Sequence, residues 1–388
     1  MRNKAATSVG WSIGSFFSAL LLLFSPAAVL ADTGNVPEPF RGQATAESVD
    51  ITYDDWSYIL RATVFDAGMS DRRSAPSPAP QPGRLIVKVN TSSTRLEGNR
   101  LHFPAFEGKN LEAVSVLRRE LEALPGAVPM AEWTRNQQPA YWLNLYNVTV
   151  VEQLAKRYPE QEIRRVMAKI RDKKLLNVAG VRLSLDDIHH DILVEKWQDP
   201  LVVYGLWQGY VGGPNILREA FTSANVYDLL KQNAVEFINS NRGARMRGNA
   251  LRISTYYEDN IALFPGGERE LRAHLAKYAD LYYAGRIRGA DEINMTTSDY
   301  YIADLFEGVP RDVNPNATNT AALQTAGSGP EWSNFAASAG GKGWGRVPPH
   351  VMEYVMDIRR KKSKRGGSVS VEEYADRPAE ETPEEGQK

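Results

Sequence analysis

Apolar residues recur at helical spacing along most of the chain between residues 45 and 311. Leu111, Val114, Leu117, Leu121 and Leu124 define one amphipathic helix, with Asn110 as its expected cap and Pro125-Gly126 as its stop. The stretch from Pro139 to Arg157 behaves differently. Ala140, Tyr141, Trp142, Leu143, Leu145, Tyr146, Val148, Val150 and Val151 leave it no polar face. A helix apolar all round belongs inside a protein. Asn144 and Asn147 then lie one turn apart in the core, where carboxamides need partners.

Ser184 followed by Asp187 reads as a capping-box variant that opens a further helix, closed by Asp199-Pro200. The run Leu201-Val202-Val203-Tyr204-Gly205-Leu206-Trp207 has strand length and no polar side, which predicts a central buried strand. Arg84 to Asn90 reads as another strand, with Arg100 to Phe103 as its partner. Two amphipathic helices follow, one on Val226, Leu230, Ala234 and Phe237, the other on Leu271, Leu275, Tyr278 and Tyr282. The expected fold is helix-rich α+β, a single domain with a small central sheet.

The ends differ from this middle. Arg2 and Lys4 precede an apolar stretch through Phe24, and Val29-Leu30-Ala31 supplies small residues before Asp32. That pattern predicts a secretory signal peptide over residues 1–31 and a periplasmic or secreted product; an uncleaved membrane anchor is the alternative. Residues 32–44 read as a flexible leader. Residues 74–83 alternate proline and form a surface loop inside the domain. From 312 the composition turns to Asn, Thr, Ala, Gly and Ser, which predicts a disordered, low-complexity tail with an acidic end. Within it Val351, Tyr354, Val355 and Ile358 make a short helical stripe ahead of a basic run. Arg359, Arg360, Lys361, Lys362, Lys364 and Arg365 offer contact with an anionic surface, and their alternative is pairing with the acidic end.

The 388 residues contain no cysteine, which excludes disulfides, thiolate nucleophiles and sulfur-ligated metals. A formal charge of -1 gives no reason to expect nucleic acid. No zinc-protease, EF-hand, Walker or dinucleotide motif appears, so neither a metal nor a cofactor is expected. Gly209, Gly212 and Gly213 fit a tight turn ended by Pro214 better than an anion cradle. Of five histidines, His189 and His190 are adjacent, and Asp186 stands four residues before His190, the spacing of an acid/base pair. His274 sits on an apolar stripe and reads as a packed core residue; His102 and His350 stand alone.

Asn136-Gln137-Gln138-Pro139-Ala140-Tyr141-Trp142-Leu143-Asn144-Leu145-Tyr146-Asn147 resembles the Q-x-A-F-W-I-N-L-Y-N signature of the DUF547 family. Leu183 to His190 is similar to its L-S-L-D-D-I-E-H element, and further segments follow in order to about Gly308, including Tyr257-Glu258-Asp259. The family's activity is unassigned. Its members carry C-G-x-x-S-C-P after the apolar run, and those cysteines fall here on Gln208 and Gly213, while His190 matches the family histidine. The resemblance therefore implies that thiol chemistry is absent from this chain. It favours a non-catalytic binding or scaffolding module of the cell envelope, with a pocket near Asn144, Asn147, Gln208 and Gly213. The alternative is a cysteine-independent hydrolase or transferase using His190 and Asp186.

Overall fold

The computed structural model describes residues 34–42, 45, 48–78, 90–309 and 348–365. The expected signal peptide, most of the 84–90 strand and the acidic end lie outside these residues. Among them no helix is long and apolar enough to cross a membrane.

The fold is α+β. In chain order come α1 (Asp54–Thr63), β1 (Val64–Phe65), β2 (Arg100–Leu101), α2 (Lys109–Ala127), α3 (Gln137–Ala155) and α4 (Arg164–Ile170). Then follow β3 (Leu176–Val178), β4 (Val181–Leu183) and α5, a π-helical stretch Asp187–Val194 continued by the α-helical turn Glu195–Trp197. The remainder is α6 (Val226–Ile238), β5 (Ala244–Arg247), β6 (Ala250–Ser254), α7 (Glu268–Tyr278), α8 (Leu281–Arg288), β7 (Glu292–Thr297) and α9 (Pro349–Arg365). The sheets are small: β1 pairs with β2, β3 with β4, and β5-β6-β7 form a mixed three-stranded sheet with β6 and β7 parallel.

All nineteen residues of α3 are buried; its apolar residues leave no solvent face, and its buried Glu152 is paired with Arg118 and Lys156. Asn144 donates to Phe221 O at 2.7 Å and accepts from Phe221 N–H at 3.0 Å. Asn147 donates to Gly205 O at 2.9 Å and accepts from Trp207 N–H at 3.0 Å. Both carboxamides are spent in fixing loops to the central helix.

Several expectations change. Residues 201–207 are not a strand: Pro200–Gly205 is a buried 3-10 helix. Proline sets the helical φ at its first position, and the Asp199 carboxylate accepts from Leu201 N–H at 2.9 Å. An apolar run identifies burial, not strand geometry. Arg100–Leu101 pairs with Val64–Phe65; of the strand expected over residues 84–90 only Asn90 lies within the described residues. Gly108, not Asn110, precedes α2, and Pro125 lies within its last turn. The stripe on Leu271, Leu275 and Tyr278 ends at Ala279; Asp280 caps a new helix, which leaves Tyr282 78% exposed. The leader is packed where it is described: Val36 and Phe40 are fully buried, and Lys196 Nζ donates to Phe40 O, Gly42 O and Gln138 Oε1. Burial pushes the Lys196 ammonium down to about 8.

The tail stripe does form a helix, and it is docked. Val351, Tyr354, Val355 and Ile358 of α9 complete a second apolar cluster with Phe65, Ala67, Leu305 and Phe306. Arg95–Glu353 at 2.7 Å and Tyr354 Oη to Gly98 O at 3.0 Å hold it in place.

Candidate functional site

The β3–β4 hairpin delivers the chain into α5 through the expected capping box. Ser184 N–H donates to Asp187 Oδ2 at 2.6 Å, and Asp187 N–H donates to Ser184 Oγ at 3.1 Å. From Asp187 the helix widens to i→i+5 hydrogen bonding, a winding that is uncommon and concentrated at functional positions. The rings of His189 and His190 stack, with centroids 4.0 Å apart and planes 20° from parallel.

His189 is buried. Asn260 Nδ2 donates to Tyr256 O, so its Oδ1 is free to accept from His189 Nε2 at 2.7 Å. That bond fixes the neutral tautomer with the proton on Nε2. Burial, then the neighbouring His190, hold its pKa well below the ordinary imidazole value.

His190 meets Asp186 only through a third residue. Arg171 leaves the end of α4 and donates from Nε to Asp186 Oδ1 at 2.8 Å and from Nη1 to Asp259 Oδ2 at 3.0 Å. Its Nη2 lies 3.5 Å from His190 Nε2. Burial opposes the Arg171 charge, but Tyr146 and the carboxylates of Asp186 and Asp259 keep it firmly protonated. Burial, followed by that guanidinium, pushes His190 below the ordinary range; Asp186, Asp259 and Asp191 offset this only in part. The expected Asp186–His190 pair is thus not made directly, because Arg171 takes the carboxylate. Asp187 is engaged as well, with Lys174 Nζ at 2.5 Å.

Beside these polar groups lie phenols. Burial pushes Tyr146 up to about 12, and its oxygen accepts from Gln208 Nε2 at 3.0 Å. Gln208 also donates to Leu206 O at 3.1 Å and is 1% exposed. Tyr210 packs edge-on to Tyr300 at 5.1 Å, and Arg164 sits 4.9 Å over the Tyr300 ring. Gln208 therefore joins the histidine region through Tyr146, whose ring lies 6.5 Å from that of His189.

The glycine loop is a structural turn. Gly209 has φ +77°, and a Cβ at Gly212 would sit 2.7 Å from Asp299 N. A Cβ at Gly213 would lie 3.4 Å from Gln208 Cβ. That is about the separation that a disulfide requires, near 3.5–4.5 Å. The two positions where the resemblance places cysteines are in contact.

Among the candidates, Asp186, His190 and Gln208 gather in one region; Asn144 and Asn147 serve the loops; Gly213 backs Gln208. Arg171, Asp259, Asn260 and Tyr146 escaped sequence reasoning as site residues. Arg171 lies in the charged run Lys169-Ile170-Arg171-Asp172-Lys173-Lys174, which reads as solvated surface. Asp259 and Asn260 come from a distant 3-10 helix, Thr255–Leu263, and Tyr146 looked like ordinary core. Among the described residues no three His, Asp or Glu side chains are grouped to hold a metal ion.

Residues 130–238 match the model of the family described as "Protein of unknown function, DUF547". The resemblance read from the α3 and α5 motifs is thereby established over that stretch, which supplies Tyr146, Arg171, Asp186, His190 and Gln208 but not Asp259 or Asn260. No curated protein and no solved structure matches the chain.

Proposed function

We propose that this chain is an exported, non-catalytic binding module of the cell envelope whose ligand meets the face formed by Arg171, Asp186, Asp259 and His190. One observation carries the reading: the Asp186 carboxylate is bound to Arg171 and not to His190. A general base needs a free lone pair and an orienting acceptor. Here the His190 Nε2 lone pair faces an arginine that can only donate. Gln208 offers no nucleophile, and its amide is held by Tyr146 and Leu206. The face is a fixed set of charges over buried tyrosines, which suits recognition more than turnover.

The test is a screen of the purified protein against ester, amide, glycoside and phosphate model substrates, beside His190→Ala. No turnover above the variant's background is expected. A robust rate that disappears in His190→Ala while the thermal midpoint stays put would establish the hydrolase or transferase alternative.

A further inference from the structure

We propose that the face carried by α8 and the β5–β6 turn docks this protein on an anionic lipid surface. Leu281 is 91% exposed and Tyr282 78% exposed, side by side at the start of α8. Helical spacing puts Tyr282 in line with Arg286, and Leu281 in line with Arg288. The inner side of the same helix is anchored: Tyr283 Oη donates to Ala244 O at 3.1 Å, and Tyr283, Ala284 and Ile287 are buried. The apolar pair therefore has no place in this protein's own core.

The charge beside it is positive in balance. Arg286 donates to Gly248 O in the β5–β6 turn at 3.3 Å, which sets it next to exposed Arg247. On the sheet, Arg245 and Arg252 are direct cross-strand partners. Like charges in that relation destabilise a sheet, and a counter-anion relieves them. None of Arg245, Arg247, Arg252, Arg286 and Arg288 makes an ion pair among the described residues. The carboxylates on and beside these elements are fewer than the five arginines: Asp280, which accepts from Tyr283 N–H, Glu292, which accepts from Asn294, and exposed Asp291, whose N–H donates to Asn249 O in the same turn. Exposed Leu and Tyr flanked by unpaired arginines is the chemistry of a bilayer interface: the apolar side chains enter the headgroup layer and the guanidiniums meet lipid phosphate. The basic run of α9 is less suited, because Arg360 is paired with Asp71 and Asp357, and Lys361 with Asp357.

The absence of native cysteine allows a single reporter. Leu281→Cys in the full chain, labelled with an environment-sensitive fluorophore, is titrated with vesicles of phosphatidylcholine alone or with about 30% phosphatidylglycerol, at about 0.1 M salt. A blue shift with the anionic vesicles only is expected. Adding Arg247→Gln, Arg286→Gln and Arg288→Gln should weaken it by about tenfold or more, whereas Arg359→Gln with Lys362→Gln should change it less than about twofold. Leader and tail are unchanged in the triple-arginine form, so its difference from the parent reports this face. Absence of a shift, an undiminished shift in the triple-arginine background, or an equal shift from a label at Tyr58→Cys would overturn the proposal. So would the same shift with inorganic polyphosphate alone, which would make a dissolved polyanion the partner.

Discussion

At the level of single residues, Arg171 decides what the histidines can do. Its guanidinium lies 3.5 Å from His190 and binds two carboxylates whose upward pull on that imidazole offsets burial and the arginine only in part. Arg171→Ala removes the positive neighbour and leaves Asp186, Asp259 and Asp191 in place. The His190 pKa should then rise, which an NMR titration of the histidine ring protons would detect; an unchanged value would contradict the arrangement. Asn147 is a different kind of residue, buried for architecture. Asn147→Ala leaves Gly205 O and Trp207 N–H without their partner and should cost about 2–4 kcal/mol, read as a lower urea midpoint at constant slope. The sequence exposed the two asparagines and the histidine through their position in strongly patterned helices. It concealed Arg171, because nothing in a run of charges distinguishes the one that folds inward.

Among the elements, α5 and the segment after it show where pattern reasoning holds and where it stops. Ser184 and Asp187 announced the helix start because a cap is a local contact of three residues. The π winding was not announced, since i→i+5 bonding leaves no signature in apolar spacing. The apolar run 201–207 announces burial, which holds, and a strand, which does not form: Pro200 and the Asp199 side chain impose a 3-10 helix over Pro200–Gly205 on residues whose propensity suits a sheet. The contact between positions 208 and 213 yields a direct prediction. The double variant Gln208→Cys, Gly213→Cys should close a disulfide on mild oxidation, seen as a loss of two mass units with no free thiol remaining. Closing so short a loop is worth about 2 kcal/mol in chain entropy, offset in part by the lost Gln208 hydrogen bonds. Failure to oxidise would mean that the two positions do not meet.

For the molecule as a whole, α9 completes an apolar cluster whose other half comes from β1 and from residues 305–306. A chain ending at Val309 should lose at least about 3 kcal/mol of stability and bind a hydrophobic dye through Phe65, Leu305 and Phe306. Equal stability with and without residues 310–388 would show that α9 adds nothing. Buried histidines contribute to the loss of stability in acid. Burial holds His274 and His350 down to about 4, and His189 lower than its ordinary value. Each folded-state pKa lies below the unfolded value, so the folded state binds fewer protons over that interval. The stabilisation is complete above about 6.5 and lost as pH falls toward 4. His274→Gln should remove about one proton's worth of slope from stability against pH between 4 and 6.5, measured by urea unfolding in a buffer series. Asp304, which burial raises to about 6, and Glu236 and Glu307, which burial raises to about 7, act in the opposite sense and are common to both proteins.

The sequence by itself determined which segments are interior, where capped helices begin, that sulfur chemistry is absent, and that Asn144, Asp186, His190 and Gln208 belong to one set of motifs. The first three are consequences of local periodicity, of capping and of composition; the last is what the resemblance to the family's motifs implies. Tertiary structure decided the rest: that Arg171 stands between Asp186 and His190 and also holds Asp259, that Gln208 and Gly213 touch, that α9 packs on residues almost three hundred positions earlier, and that Leu281 and Tyr282 face outward. Each of these depends on side chains far apart in the chain meeting in space, where packing and desolvation act and spacing along a sequence carries no information.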